Sequence, residues 1–352
     1  MPEYCVTGGT GFIASHLIRE LLSRGHTVRA TVRDTEDVAK VGFLWSMGGA
    51  KERLKLVKAD LLVDGSFDLA VDGVDGVFHT ASPVFVPQDQ NVQQALIDPA
   101  IQGTKNVLKS CSKASSVRRV VLTSSCSSIR YRYDVTLVSP LNESHWSDPE
   151  YCKRYNLWYA YAKTLAEKEA WRLAEHFGIN LVVVNPSFVV GPLIAPRPTS
   201  TLLIILSILK GKYTYVPISC SESQTSRKHS SLALFKPDPL PKGNISWYPN
   251  TTVGFVHVDD VIFSHILAME DSRVSGRLIC SGSVARWSEI VEMIRANNPS
   301  YPMPSKCNDQ EGDSNPHSMD TTKIRELGLP CFKTLPQMFN DCIKSFREKG
   351  LL

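Results

Sequence analysis

The sequence predicts an α/β fold, a doubly wound parallel sheet with a smaller C-terminal lobe, and three observations predict it. Short runs rich in β-branched residues alternate with helical segments along the first half of the chain. A glycine-rich turn joins the first of these runs to the first helix. After Pro186 the pattern changes, with prolines at 192, 196 and 198. Alternation of strand and helix calls for right-handed crossovers, which lay strands parallel and put helices on both faces of the sheet.

Residues 4–7, 27–32, 54–58, 76–79, 117–123 and 181–185 read as strands. Between the first two, Leu17, Ile18, Leu21 and Leu22 recur at helical spacing within residues 15–23, and Gly25 stops the helix. This is a βαβ unit of about 30 residues. An apolar helix over 201–209 follows the prolines, and regular structure resumes with a strand at 252–258. A helix at 260–269, a strand at 277–280 and helices at 287–297, 321–327 and 335–349 complete the chain. Residues 1–190, with 253–282 returning to them, are expected to form the sheet domain, and 191–252 and 283–352 the smaller lobe. Within that lobe 213–247 is Ser-rich and charged, loses periodicity and reads as an atypical, disordered insertion. A structureless stretch of that length is either a mobile surface loop or a segment foreign to the fold.

At 352 residues, 43% hydrophobic and 21% charged, the chain can bury one large core and a lobe. The net charge of +4 is spread along it, and the basic pairs Arg118-Arg119 and Arg130/Arg132 lack aromatic interleaving. Nucleic-acid binding is therefore not expected. Nine cysteines without a CxxC pair read as free thiols of a reducing compartment. The first strand begins by about residue 3, which leaves no room for a leader. The longest apolar runs, such as 202–209, fall short of a membrane span, so a cytoplasmic, soluble protein is expected. The nine histidines show no HExxH or other metal spacing, and His79 and His257 read as structural.

The first strand runs into Gly8-Gly9-Thr10-Gly11-Phe12-Ile13-Ala14, with small residues at three-residue steps at 8, 11 and 14. Gly8 permits the tight turn, Gly11 lets the backbone approach a pyrophosphate, and Ala14 lets the helix pack closely on the strand. Helix N–H groups opening near Gly11 and Phe12 face phosphate with the positive end of the helix dipole. These are the marks of a Rossmann dinucleotide site. Where an NAD enzyme places a carboxylate after the second strand, this chain has Val32 and then Arg33. An arginine fork suits a 2′-phosphate, so NADPH is the expected cofactor, provided the strand ends at Val32 and not beside Asp34. Lys40 is either a second cation for that phosphate or a solvated surface lysine. By position, Asp60 and Leu61 face adenine, and Thr80, Ala81 and Ser82 line the cofactor cleft.

Tyr159 and Lys163, four residues apart, share one face of a helix that runs to Gly178. A phenol with a pKa of ~10 needs a neighbouring cation before it can exchange protons near neutrality. The Lys163 ammonium can supply that charge and also hold the cofactor ribose. Tyr161 is only two residues from Lys163 and faces elsewhere. The pair follows a strand ending in Thr123-Ser124-Ser125, where a hydroxyl can donate to a substrate carbonyl. Spacing alone leaves Ser124 and Ser125 both open. The expected reaction is hydride delivery to a carbonyl carbon while a serine and Tyr159 bond the oxygen and Tyr159 gives its proton. A cofactor-binding regulator without catalysis would break the Ser/Tyr/Lys set, which here is whole.

With these residues in place, the chain resembles the plant dihydroflavonol reductase and cinnamoyl-CoA reductase family of extended short-chain dehydrogenases. The resemblance runs over nearly the whole chain, through VTGGTGFIAS (6–15), TVRD (31–34), KADL (58–61), GVFHTASPV (76–84), RRVVLTSSCSS (118–128), WYAYAK (158–163), VVVNPSFVVGP (182–192) and FVHVDD (255–260). It implies NADPH contacts at Gly8, Gly9, Thr10, Gly11, Phe12, Ile13, Ala14, Arg33, Lys40, Asp60, Leu61, Thr80, Ala81 and Ser82. Further contacts are implied at Tyr159, Lys163, Pro186, Ser187, Phe188 and Val189. It also implies a catalytic triad of Ser125, Tyr159 and Lys163, favouring Ser125 over Ser124. Cinnamoyl-CoA reductases typically read Asn-Trp-Tyr-Cys-Tyr-Gly-Lys where this chain has Asn156-Leu157-Trp158-Tyr159-Ala160-Tyr161-Ala162-Lys163, which weighs against a CoA thioester. The runs 124–134 and 141–163 are most similar to the tetraketide α-pyrone reductases, which serve the sporopollenin of pollen walls. The resemblance thus implies a small polyketide or phenylpropanoid-like substrate, a pyrone ketone before a dihydroflavonol or hydroxycinnamoyl-CoA, and association with other enzymes of the pathway.

Overall fold

A computed structural model describes residues 1–84, 91–198, 200–211, 247–307 and 317–352. Residues 213–246 of the expected insertion lie outside the described residues. The strands are β1 (Glu3–Val6), β2 (Thr27–Val32), β3 (Leu54–Lys58), β4 (Gly76–His79), β5 (Arg119–Thr123) and β6 (Leu181–Pro186). They continue with β7 (Phe188–Val190), β8 (Trp247–Tyr248), β9 (Thr252–His257), β10 (Gly276–Cys280), β11 (Ser283–Arg286) and β12 (Lys306–Cys307).

Seven strands form one sheet in the order β3-β2-β1-β4-β5-β6-β10, and every neighbouring pair is parallel. Alternate side chains along each strand face opposite ways, and the two faces carry separate cores. Val6, Phe78, Val121, Val182 and Val184 pack with the helices Phe12–Ser23 and Val258–Glu270. On the other face Cys5, Val77, Val120, Leu122 and Val183 pack with the helices Asp98–Lys113 and Trp158–Phe177. The sheet is therefore doubly wound. Strands covered on both faces need unbroken apolar runs, and β4 and β6 are buried at every position.

The first helix starts at Phe12, three residues before the expected start at 15, because Gly11 leads straight into it and Gly11 O accepts the Ser15 N–H at 2.9 Å. Leu17, Ile18, Leu21 and Leu22 are fully buried, each worth roughly 1.5–3 kcal/mol over exposure. Winding changes direction between β1 and β4, which opens a crevice above the carboxyl ends of those strands.

A second sheet, β11-β9-β7, stands beside the first. Only Ser187 separates β6 from β7, so the chain crosses from one sheet to the other within one residue. Ser187 N–H donates to Cys280 O of β10 at 3.0 Å. Gly254 of β9 allows the crossing: a Cβ there would come within 2.9 Å of Ser281 Oγ and 3.0 Å of Ser187 Cβ. Phe188, Phe255, Trp287 and Phe339 interlock edge to face behind it. Of the expected return segment, β10 joins the large sheet while β9 builds the small one. Among the described residues no helix is long and apolar enough to cross a membrane, and no group of three or more His, Cys, Asp or Glu could hold a metal ion.

Candidate active site

Gly8 adopts φ +69°, and a Cβ on it would meet Ala81 Cβ at 3.0 Å, so backbone conformation and space both demand glycine. Gly8 N–H donates to Thr31 Oγ1 and Gly9 N–H to Thr31 O, at 3.1 and 2.8 Å, anchoring the turn to β2. Gly11 caps the following helix with no side-chain bond, and a Cβ there would come within 3.1 Å of Gly8 O. Thr10 and Ile13 are half-buried at the mouth of the turn, while Phe12 and Ala14 pack inward. The result is a helix N-terminus of bare backbone N–H groups, the chemistry a pyrophosphate requires.

Thr7 ties this turn to β4. Its Oγ1 accepts the N–H groups of Thr80 and Ala81 at 3.1 and 3.0 Å and lies 2.9 Å from His79 Nδ1. With its lone pairs so used, the hydroxyl donates to His79, which is then a neutral imidazole with its proton on Nε2. Ser82 is half-buried next along, with its hydroxyl on Pro83 O.

β2 ends at Val32 and Arg33 is the first residue beyond it, exposed at the sheet edge. The Asp34 carboxylate is spent on the Glu36 N–H at 3.0 Å. Lys40 reaches Asp37 at 2.5 Å and is 71% exposed; this bond is the main reason Asp37 titrates below the usual carboxylate range. Asp60 closes its own turn by accepting the Leu62 N–H at 2.9 Å, and Leu61 lies on Gly103 with its carbonyl taken by Asn106. Pro186 and Val189 are buried, with Ser187 and Phe188 half-buried between them. Thr80–Ser82, Ser125 and Pro186–Val189 thus follow β4, β5 and β6, consecutive neighbours of β1 and its glycine turn.

The surroundings separate the two candidate serines. Ser124 Oγ donates to the buried Glu167 carboxylate at 2.5 Å, while the Ser125 hydroxyl accepts the Ser127 N–H at 3.0 Å and stands close enough to Tyr159 to act on its phenol. Burial pushes the Tyr159 phenol up to about 12, against the Ser125 hydroxyl, which lowers it. Lys163 has no part in that shift, which differs from the expectation that its charge draws the phenol down. The reason is its placement: Lys163 Nζ is buried and donates to Thr123 O at 2.9 Å. Burial pulls Lys163 to about 8, and Glu167 raises it. Tyr131 stands close enough to add to the rise at Tyr159; its hydroxyl accepts Arg130 Nη2 at 2.8 Å. Arg130 Nη1 reaches Thr252 O at 3.3 Å, on the wall of a cleft of about 500 Å³ lined also by Ser281, Ser283 and His317. Ser125, Tyr159 and Lys163 do not line this cleft.

A model of the NAD dependent epimerase/dehydratase family matches residues 4–279. The chain belongs to this family. It is 62% identical to tetraketide alpha-pyrone reductase 2 of Arabidopsis thaliana over 353 aligned residues, covering 100% of each chain. It is 39% identical to cinnamoyl-CoA reductase CAD2 of Medicago truncatula over 346 residues, covering 98% of this chain and 95% of the relative. Among solved structures, vestitone reductase from alfalfa (Medicago sativa L.) matches with a TM-score of 0.77 at 30% identity, covering 100% of both chains.

Within this family fold, sequence reasoning passed over the polar cluster behind the site, Glu167, Asn185 and Arg277. Its signals were present: a carboxylate four residues after Lys163 on an alanine-lined face, an asparagine inside an otherwise apolar strand, and an arginine opening another. Three buried histidines bear on stability. Burial holds His79 at about 3 and His16 and His265 at about 4, against ~6.5 in the unfolded chain. His265 donates from Nδ1 to Val261 O and accepts from Thr123 Oγ1, each at 2.7 Å. Their folded pKa values are depressed, so below pH ~6.5 the unfolded state binds more protons and stability falls as pH drops. Thermal midpoints between pH 7 and 5 are expected to fall by several degrees. A flat profile would show that these rings are not buried neutral.

Proposed function

We propose that this chain is an NADPH-dependent reductase of the side-chain ketone of tetraketide α-pyrones, in the synthesis of pollen-wall sporopollenin. The observation that carries the reading is 62% identity along the whole chain to a relative named tetraketide alpha-pyrone reductase 2. Lactonisation of a tetraketide leaves one carbonyl outside the ring, a ketone that reduction turns into a secondary alcohol.

The bare helix end after Gly11 and the left-handed turn at Gly8 fit a pyrophosphate. Arg33, directly after β2, fits a ribose 2′-phosphate better than a 2′-hydroxyl. Bound NADPH supplies the hydride. Ser125 and Tyr159 hydrogen-bond the ketone oxygen, and Tyr159 passes its proton to that oxygen as the alcohol forms. Solvent then returns the proton to Tyr159, while the Lys163 ammonium, anchored on Thr123 O, is left to hold the cofactor ribose. Gly9, Thr10, Phe12, Ile13, Asp60, Leu61, Thr80–Ser82 and Pro186–Val189 line the remainder of the cofactor's path.

The test is NADPH oxidation at 340 nm by the purified chain, offered a tetraketide α-pyrone, a dihydroflavonol and a hydroxycinnamoyl-CoA. Turnover of the pyrone with kcat/KM at least tenfold above the others is expected. Preference for a dihydroflavonol or the thioester would transfer the substrate assignment to that compound.

A further inference from the structure

Glu167 is fully buried on the Trp158–Phe177 helix, one turn beyond Lys163. Its Oε2 accepts from Ser124 Oγ at 2.5 Å, Ser128 Oγ at 2.6 Å and Asn185 Nδ2 at 2.9 Å. Its Oε1 lies 2.7 Å from Arg277 Nε, an ion pair outside hydrogen-bond alignment. Arg277 is fixed in turn: it donates to the carbonyls of Glu143 and His145, at 3.0 and 2.5 Å, and its guanidinium lies 3.9 Å from the Trp146 ring centre. One carboxylate therefore gathers the carboxyl ends of β5 and β6 and the start of β10 under the Trp158–Phe177 helix.

Two connections lead from it to the proton-handling residues. Ser128 Oγ sits 2.6 Å from Glu167 and 2.7 Å from Ser125 O, so its single proton is shared between them. Asn185 Nδ2 touches both Glu167 and Ser125 O, at 2.9 and 3.2 Å. The backbone that aims Ser125 at Tyr159 thus hangs on Glu167. The second connection is electrostatic, through Lys163.

We propose that Glu167 is a positioning residue for this site, ordering the Ser124–Ser128 turn beneath Ser125 and presenting the negative charge that faces the Lys163 ammonium. The inference rests on the proposed roles of Ser125 and Lys163. The groups around Lys163 leave no other source of that charge among the described residues. On its own helix it faces Glu167, from β5 the Thr123 carbonyl, and from β4 His79, a neutral ring. Arg277 of β10 lies beyond Glu167 and carries the opposite sign. Glu167 is the charge that counters the downward pull of burial on Lys163.

The experiment compares wild type, Glu167→Gln and the double variant Glu167→Gln/Arg277→Leu, which removes both buried charges. Two readings are taken from pH 6 to 10: kcat/KM for whichever ketone the enzyme turns over, and the Kd for NADPH from its fluorescence. Without the carboxylate, Lys163 gives up its proton sooner, so the alkaline limb of both profiles is expected to move down by about one pH unit. If Glu167→Gln does not fold, the double variant carries the same expectation. Unmoved limbs, or activity lost equally at every pH, would reduce Glu167 to a structural residue and overturn the proposal. A Tyr159→Phe enzyme with full turnover would instead overturn the underlying reading of the triad, whatever the limb does.

Discussion

Replacing Tyr159 by Phe is expected to lower kcat for ketone reduction by about 10²–10⁴-fold, the range spanned by removal of a positioned general acid. The ring remains, so packing near Trp158 and Tyr161 is kept, and NADPH affinity should change less than about threefold because the phosphate-binding turn at Gly8–Ala14 is untouched. What disappears is the hydroxyl beside Ser125, the proton donor of the proposed mechanism. Single-turnover rates with NADPH and a separate NADPH titration distinguish loss of chemistry from loss of binding. Turnover within threefold of wild type would mean that the proton comes from another group, for which Tyr131 is the neighbouring phenol.

The largest effect on stability is expected at Arg277. Arg277→Leu takes the partner from a carboxylate with no exposed surface, and it also removes the ties to Glu143, His145 and Ser128. Breaking a buried pair on one side leaves an uncompensated charge, with a cost of about 3–5 kcal/mol. Urea unfolding at neutral pH measures it. Adding Glu167→Gln should recover much of the loss, because the orphaned charge goes with it. A loss below about 1 kcal/mol for the single variant would mean that water reaches the pair, and its claim to a fixed geometry would fail.

The layered fold was open to reading because it rests on local signals. β-branched runs, the glycine turn and the Leu17–Leu22 spacing each state their own structure within a few residues. The position of Arg33 could be read for the same reason: it needs only the end of β2, and β2 ends at Val32. The choice between Ser124 and Ser125 depends on Glu167, 43 residues from Ser124 along the chain, and no local pattern encodes a contact of that span. The small sheet was hidden for a related reason. Its strands β7, β9 and β11 come from separated parts of the chain, and nothing in residues 252–258 says which sheet they join. The state of Lys163 was out of reach because its partner is a backbone carbonyl, which every residue possesses.

One consequence of the Tyr159 environment concerns which way the reaction runs. A phenol pushed up to about 12 keeps its hydrogen throughout the neutral range, so the resting site is already loaded as an acid before any carbonyl arrives. The opposite traffic, alcohol to ketone, would need that same oxygen stripped bare to act as a base, and the desolvated pocket resists this state. If Tyr159 is the acid, making the alcohol begins from its resting protonation state, whereas unmaking it must first strip the phenol, so the oxidation rate is expected to climb as pH rises while reduction does not.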